Sequence, residues 1–397
     1  MFSFFRYFKE KRDNRERILA LDLLRGTFLV EIIVAHIAWH PSLLTFISGG
    51  NQLVASAAEG FFTISGLLVG YLYGPRVLGD TKKIFKKIWK RAFLLYCLAT
   101  FFTLFYTAWA IMEPHSAAYQ MIYTRGGLRF LVDTFTLRYA FGWAEFLNRY
   151  AMFMLFAPFA IWLIAKGRAW IMALASFAIW FFLRDTERFL PFSPWQLVFY
   201  FGMILGYYLP HIEAWFRELP KERRRVISIT ICSVAAVTYI ACIYMALIAP
   251  TVLLTTNPAV QFYAHIQPYF DKNHLAPGRV AVGIVWFAAL YMIYRRYEKQ
   301  ISRLSHGVLE VLGRQSLFVY GFHAFLLFII DLYFVPPAGH SLFANTLVTL
   351  VVLTIIYIGA YYRGHVMALG RRVRRTYRFR APEPDVADGG LELGDRL

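Results

Sequence analysis

The sequence has few charged residues and very few cysteines. Charged residues make up 17% of the 397 residues, against roughly 25% in soluble domains, whereas hydrophobic residues reach 58%. A soluble globular protein and a disordered chain are both excluded by this balance. The three cysteines, Cys97, Cys232 and Cys242, lie in apolar runs without a CxxC spacing, so we expect buried free thiols rather than disulfides or a metal site.

Ten apolar stretches are long enough to be read as membrane helices, which need about 20 apolar residues each. The predicted fold is therefore an all-α, polytopic helix bundle of about ten transmembrane helices. The predicted spans are 18–39, 53–73, 88–112, 148–165, 168–183, 194–210, 226–249, 279–294, 315–335 and 341–362.

The basic residues predict the orientation of these spans. With both termini in the cytoplasm, 33 of the 42 Lys and Arg residues fall in inner segments and eight in outer ones, as the positive-inside rule requires. The net charge of +18 thus indicates membrane loops and lipid headgroups as partners rather than nucleic acid. Residues 1–17 are predicted to be a basic interfacial segment, 18–362 the membrane domain, and 363–397 a basic, then disordered, cytoplasmic tail.

The first span carries ionisable residues, which are costly inside a membrane and therefore candidates for function. Arg25 and His36 are eleven residues apart, within about 20° of three full helical turns, so they share one face at a separation of about 16 Å. Asp22 lies on the same face, and Glu31 points elsewhere. Asp22 and Arg25 fit either an interfacial ion pair or a binding site. His36 fits either a structural role or that of a general base.

Other polar residues lie at comparable depths in later spans. Glu59, near the outer end of the second span, fits either an acid at a helix start or a partner that orients His36. His323 fits either a cavity wall shared with His36 or a helix contact. Trp195 and Gln196 suit a sugar ring or an ordinary interfacial belt, and Ser65 suits helix packing or the substrate site.

Four segments together are similar to a known family. The spacing Arg25-x10-His36 resembles the motif of the type 3 membrane acyltransferase superfamily. RILALDLLRG, AEGFFTISGLLVGYLYG, PFSPWQLVFYFG and LGRQSLFVYGFH, in that order over residues 17–323, resemble the OpgC family, which succinylates osmoregulated periplasmic glucans. The superfamily's RxxR-like motif has only an approximate counterpart at residues 87–91, where lysines lack the bidentate fork of arginine.

The resemblance implies a multi-pass enzyme of the bacterial inner membrane. It would transfer a succinyl or acetyl group from cytoplasmic acyl-CoA to a hydroxyl of an extracytoplasmic glucan, without a metal. His36 would be the catalytic base, with Glu59 orienting it, and an acyl-histidine route stays open. The acyl-CoA would contact Arg25, Asp22, Lys83, Lys87, Lys90 and Arg91, and the glucan Trp195, Gln196, His323 and Ser65.

A glycan or lipid transporter is the alternative. Ten spans with buried charges suit a transporter or flippase as well, although the sequence has no inverted repeat or matched pair of broken helices. Release of CoA from acyl-CoA by the purified protein separates the two. Oligomeric state, acyl group and acceptor glycan do not follow from the sequence.

Overall fold

The computed structural model describes residues 17–112, 126–186, 192–249, 258–334 and 341–380, and within these ranges the chain forms helices and no strands. Each of the ten predicted apolar segments lies on a helix. The α-helices of seven or more residues in these ranges are α1 (Leu19–Ile37), α2 (Ala57–Val77), α3 (Thr81–Ile111), α4 (Gly127–Phe135), α5 (Ala144–Ala165), α6 (Ala169–Leu183), α7 (Gln196–Glu218), α8 (Lys221–Ile243), α9 (Pro258–Ile266), α10 (Pro277–Leu304), α11 (Val308–Arg314), α12 (Ser316–Tyr333) and α13 (Leu342–Arg380).

Helix α1 lies in the core, packed against α2, α10, α11 and α12. Its crossing with α11 is a contact between backbones. A Cβ atom added at Gly26 would lie 2.0 Å from the carbonyl oxygen of Leu309, and one added at Gly313 would lie 1.9 Å from that of Asp22. Small residues allow this close approach between helices in membranes. The packing fixes α1 along its length, and with it the face that carries Arg25 and His36.

Helices α2 and α7 form the most extensive helix contact, and glycines on both helices make it possible. Gly66 and Gly70 on α2 face Gly202 and Gly206 on α7, one turn apart on each helix. A Cβ atom at any of the four would come within 2.2 Å of a carbonyl oxygen of the facing helix. Close packing of small residues therefore holds α2, whose first turn lies near the C-terminal half of α1.

Five helices are long and apolar enough to cross a membrane: α3, α5, α8 with its π-helical extension to Ile248, α10, and α13 as far as Met367. A sixth candidate is the pair α11 and α12, with a bend of 93° between its two helices, and α6 is a shorter apolar helix. Helix α1 is not among them because Asp22, Arg25 and Glu31 exceed the charge that an apolar span tolerates. The protein is thus an all-α membrane protein, and ten spans with cytoplasmic termini stay a prediction.

Some predictions fall partly or wholly outside the described residues. Residues 1–16 of the interfacial segment and the acidic tail from 381 onwards are among these. Helix α13 continues to Arg380, past the predicted end of the last span at residue 362. The prediction that all three cysteines are buried is confirmed for Cys242 and wrong for the other two, because Cys97 is exposed and Cys232 is half-buried.

Candidate functional site

Two histidines from helices distant in the sequence meet in the middle of the bundle. His36 Nδ1 on α1 lies 3.1 Å from His323 Nε2 on α12, within hydrogen-bonding distance, and the two rings are stacked with their centroids 5.4 Å apart. His323 is fully buried and His36 is half-buried. The structure therefore shows His323 in direct contact with His36 where α1 meets α12, and a cavity shared by the two histidines stays a prediction.

The hydrogen bonds of this pair fix where the protons lie in the neutral rings. His323 Nδ1 is hydrogen-bonded to the backbone carbonyl oxygen of Tyr320, which only accepts, so Nδ1 carries the proton. His323 Nε2 is then an acceptor, and His36 Nδ1 must be the donor to it. The proton of His36 is thereby placed on Nδ1. Its Nε2 keeps a free lone pair, which is the form that a general base requires.

Aromatic side chains surround the histidine pair. The Trp143 ring lies 6.3 Å from His36, centroid to centroid, and the Tyr320 ring lies 4.7 Å from His323. The Tyr320 hydroxyl donates to the Trp143 carbonyl oxygen over 2.8 Å, which ties α12 to the start of α5. Phe146, one turn into α5, stacks near Tyr320. The pair therefore has a largely apolar wall on the α5 side.

The same face of α1 forms a crevice at the Arg25 end. The crevice is narrow, with a cavity volume of about 10 Å³, room for about one water molecule, and it lies between α1, α2, α3, α5 and α12. Arg25 and Arg91 both reach it, and both Nε atoms are buried without a hydrogen-bond partner in the described part of the chain. The full lining is Arg25, Phe61, Arg91, Phe146, Leu147, Tyr150, Ser316, Leu317 and Tyr320.

The crevice and the histidine pair share the α12 wall. Ser316, Tyr320 and His323 follow one another at spacings of four and three residues, so they form one stripe along that helix. Tyr320 lines the crevice and also contacts His323. The predicted shared face of Arg25 and His36 is therefore confirmed, and it is turned towards α12. A cationic crevice and a histidine with a free ring nitrogen lie along one path through the bundle.

Glu59 lies in a different environment from the predicted one. Its Oε2 accepts hydrogen bonds from the backbone N–H (3.0 Å) and the hydroxyl (2.6 Å) of Ser56, in the capping box that starts α2. Its Oε1 is bound by Arg279, and both side chains of this ion pair are buried. The structure therefore corrects the expected contact: His323, not Glu59, is hydrogen-bonded to His36, because capping and ion pairing occupy both oxygens of Glu59.

Arg279 uses its remaining donors on backbone and side-chain oxygens around the start of α2. Its guanidinium donates to the carbonyl oxygens of Leu53 (3.2 Å) and Phe270 (3.1 Å) and to the Ser56 hydroxyl (3.2 Å). Glu31, on the side of α1 away from His36, also accepts from the Ala57 N–H over 2.8 Å. Two carboxylates and one arginine thus hold the first turn of α2 beside the C-terminal half of α1.

Asp22 is paired with arginines near the start of α1. Its carboxylate accepts two hydrogen bonds from Arg17, one of them 2.9 Å long from Nη2, and lies 3.7 Å from Arg314 Nε on α11. The hydrogen bond to Asp22 raises the pKa of the Arg17 guanidinium, which precedes the helix. Of the two alternatives for Asp22, the structure favours the ion pair, although the partners are Arg17 and Arg314 rather than Arg25.

The predicted basic residues on α3 divide into two groups. Lys83, Lys87 and Lys90 are exposed on its first turns, whereas Arg91 is half-buried and turns into the crevice. Helix α3 begins immediately before them, where the Asp80 carboxylate accepts from the Lys83 N–H over 3.2 Å. The structure therefore brings Arg91 to Arg25 and leaves the three lysines on the surface.

The predicted sugar-contact residues are buried. Gln196 accepts a hydrogen bond from the Ser176 hydroxyl over 2.7 Å and donates one to the Ser176 carbonyl oxygen over 2.8 Å. These two hydrogen bonds join α7 to α6. Trp195 packs on Phe62, with the Arg149 guanidinium 5.5 Å from its ring centroid. Ser65 is 2% exposed and lies next to Gly66 in the sequence of α2. These positions serve helix packing, so Gln196 and Trp195 have no accessible surface for a sugar in this conformation.

Three residues of this region were not among the predicted site residues. They are Trp143, Tyr150 and Arg279. Arg279 had a usable signal, because an arginine at the start of an apolar span requires a partner. Trp143 and Tyr150 are common aromatics of a membrane protein, and nothing in the sequence separates them from the other 71 aromatic residues.

Sequence comparison is consistent with this arrangement. The family model described as OpgC protein matches residues 17–368, which include α1 to α12 and most of α13. A comparison with curated proteins gave no match. The match includes Arg25, Arg91, His36 and His323, together with every described residue of the crevice. With a family model matched over most of its length, the chain belongs to the OpgC family, whose members have a membrane acyltransferase-type role on glucans.

Proposed function

We propose that the protein is a membrane O-acyltransferase that moves an acyl group, succinyl or acetyl, from acyl-CoA to a hydroxyl of an extracytoplasmic glucan. The observation that carries the proposal is the hydrogen-bond chain from the Tyr320 carbonyl oxygen through His323 to His36. This chain keeps the proton of His36 on Nδ1 and leaves the lone pair on Nε2 free, so the imidazole is oriented to take a proton from a hydroxyl. A buried carboxylate has this orienting role in the familiar triad, and here a second imidazole takes its place.

The reaction needs one proton acceptor and one proton donor, and His36 serves as both. The glucan hydroxyl loses its proton to His36 Nε2 while its oxygen forms a bond to the thioester carbonyl carbon. The tetrahedral intermediate then breaks its bond to sulfur, and the thiolate of CoA takes the proton back from His36. The products are an ester and CoA, and the histidine returns to its starting form.

The donor is assigned to the crevice end of the same path. Arg25 and Arg91 each present a buried Nε atom without a hydrogen-bond partner in the described ranges, and guanidinium groups bind phosphate or carboxylate oxygens through two parallel hydrogen bonds. Lys83, Lys87 and Lys90 lie on the surface at the start of α3, where they add positive charge for the nucleotide part of CoA. The acyl chain would then extend along α12 towards His36, about 16 Å further along α1.

The acceptor is assigned to the other end of the path. Trp143 lies beside His36 at the start of α5, and an aromatic ring next to a catalytic histidine provides an apolar face for a sugar ring. This assignment replaces Trp195 and Gln196, which are buried in helix contacts. We expect the protein to act in the bacterial inner membrane, with the glucan outside and the donor in the cytoplasm.

Release of the CoA thiol tests the proposal. The purified protein in nanodiscs is given succinyl-CoA or acetyl-CoA, with and without glucan oligosaccharides, and free thiol is followed over time. Thiol release from one donor that depends on the glucan is expected, and mass spectrometry of the glucan should show the added acyl group. If the protein moves labelled glucan across vesicles while no donor is consumed, a transporter or flippase is indicated instead.

His323 is expected to act as a positioning residue. A His323→Leu substitution removes the acceptor for His36 Nδ1–H, and a misoriented base lowers kcat by about 100-fold with little effect on KM. In a His323→Asn variant the amide oxygen can accept the same hydrogen bond, so part of the lost kcat should return. Steady-state kinetics of the two variants over a range of pH measures this. Equal losses in both variants, or none, would contradict the positioning role.

A further inference from the structure

A second cationic site lies at the ends of three helices, away from the crevice. It is an open cleft of about 410 Å³ between the end of α7, the start of α8 and the later turns of α10. It shares no lining residue with the crevice that contains Arg25. We name it the basic cleft. Its lining residues are Phe216, Lys221, Arg224, Arg225, Ser228 and Arg296.

The four cations of the basic cleft have a common geometry. Lys221, Arg224, Arg225 and Ser228 are spaced by three, one and three residues, so they occupy one face of the first two turns of α8. Arg296 reaches the same cleft from α10. Four positive side chains around one cavity repel each other unless an anion lies between them.

No carboxylate in the described ranges forms an ion pair with any of the four cations. The neighbouring Arg295 is paired with Glu213 over 2.8 Å and with Glu298 over 3.3 Å, so Glu298, the acidic residue closest to Arg296 along the chain, is already engaged. The Nε atom of Arg224 is buried and has no hydrogen-bond partner within those ranges. The cleft therefore holds guanidinium donors that are unpaired within the described chain.

The position of the cleft identifies the source of the anion. Helix α8 and helix α10 are both candidate membrane spans, and Lys221 is the first residue of the former. Trp215, Val226 and Ile229 are exposed beside the cleft. At the end of a membrane span, cationic side chains suit the headgroup of an anionic lipid, and the adjoining apolar side chains suit its acyl chains. Basic pockets between membrane helices bind such headgroups.

We propose that the basic cleft binds the phosphate group of an anionic phospholipid. The guanidinium groups of Arg224, Arg225 and Arg296 hold the phosphate oxygens, with Lys221 adding charge and Ser228 a hydroxyl donor. The acyl chains lie along the apolar residues of α8. The site is separate from acyl transfer, so it can be present whether or not the proposed reaction takes place.

A charge-neutralised variant tests the site. The full chain is purified in detergent, stripped of lipid, and titrated with phosphatidylglycerol or phosphatidylcholine while bound lipid is measured by native mass spectrometry. The triple variant Arg224→Gln, Arg225→Gln, Arg296→Gln should bind phosphatidylglycerol on the order of 100-fold more weakly than the unchanged protein. Phosphatidylcholine, which has no net charge, should bind weakly to both.

The matched control removes the same charge outside the cleft. Arg217→Gln, Arg223→Gln, Lys299→Gln changes three exposed cations of α7, α8 and α10, and it should keep the affinity for phosphatidylglycerol. An equal loss in both triple variants would overturn a discrete site in favour of diffuse surface charge. Tight binding by the cleft variant would overturn the proposal as well.

Two further experiments test whether the variant is folded and which compound supplies the phosphate. The triple variant Arg224→Lys, Arg225→Lys, Arg296→Lys keeps the positive charge, so it should retain most of the affinity for phosphatidylglycerol. That result would show that the loss of affinity in the glutamine variant is not caused by misfolding. Inorganic phosphate and CoA are added as competitors at matched phosphate concentration. Displacement of the lipid by either at micromolar concentration would overturn the lipid assignment and indicate a site for a soluble phosphate compound.

Discussion

Replacing His36 with alanine is expected to lower kcat for acyl transfer by about 10²–10⁴-fold, the range that a positioned general base contributes. The physical reason is the loss of the lone pair that the chain from Tyr320 through His323 holds free on His36 Nε2. The measurement is glucan-dependent thiol release from acyl-CoA in nanodiscs. KM for acyl-CoA should change little, because the cationic crevice lies about 16 Å away along α1.

The matched control for His36 is His40, which lies beyond the end of the same helix. His40 hydrogen-bonds to the Thr45 hydroxyl over 2.9 Å, and burial lowers its pKa below the ordinary value of 6.5. A His40→Ala variant should keep kcat within a few-fold of the unchanged protein. Normal transfer by the His36→Ala protein would refute its role as the base. Equal loss in both variants would indicate a general effect of changes near the end of α1.

Replacing Arg279 with leucine is expected to destabilise the protein by about 3–5 kcal/mol, the cost of leaving a buried charge without its partner. The Glu59 carboxylate would remain buried without its ion-pair partner, and the carbonyl oxygens of Leu53 and Phe270 would each lose a hydrogen-bond donor. Thermal unfolding in detergent, followed by circular dichroism, measures the change. The double variant Arg279→Leu, Glu59→Leu should recover part of the loss, because no charge is then left unpaired.

The matched control for Arg279 is Arg295 on the same helix. Its pair with Glu213 is partly exposed, and such surface pairs contribute about 0–1 kcal/mol. An Arg295→Leu variant should therefore unfold close to the temperature of the unchanged protein. Equal stability of the Arg279 and Arg295 variants would show that the buried pair does not hold the first turn of α2. Activity is a second measure, since that turn lies beside the C-terminal half of α1, which carries His36.

The histidine site could be predicted only in part. The eleven-residue spacing places Arg25 and His36 on one face of α1, because the α-helix repeat is fixed by the backbone, and the structure confirms it. The hydrogen-bond partner of His36 could not be predicted in the same way. Glu59 and His323 were both reasonable from their depth in the membrane, but depth says nothing about rotation about the helix axis or about competing partners.

Competition between partners explains the Glu59 outcome. Ser56 lies three residues before Glu59, and this spacing forms a capping box that already occupies one carboxylate oxygen. Arg279, 220 residues further along, takes the other oxygen. The first interaction can be read from the sequence, but the second depends on the packing of α10 against α2. A long-range ion pair of this kind has no signature in a single sequence.

The surface and core roles of the cations also depended on packing. The sequence shows a basic run from Lys83 to Arg91, but only Arg91 turns into the crevice, because it lies on the side of α3 that packs against α5. Likewise, Trp195 and Gln196 have the composition of a sugar site, yet α6 packs over them. Side-chain chemistry indicates what a residue can bind, whereas burial decides whether a ligand can reach it.

The sequence by itself determined the all-α class, the ten helical segments and the shared face of Arg25 and His36, since hydropathy and helix periodicity are local properties. Only the tertiary structure decided that His323 holds His36, that Arg279 holds Glu59, and that Arg25 and Arg91 line one crevice. These contacts join residues 66 to 287 positions apart, and they depend on how closely helices pack at residues such as Gly26 and Gly313. Backbone approach at those glycines is a property of pairs of helices, which no single segment of the chain contains.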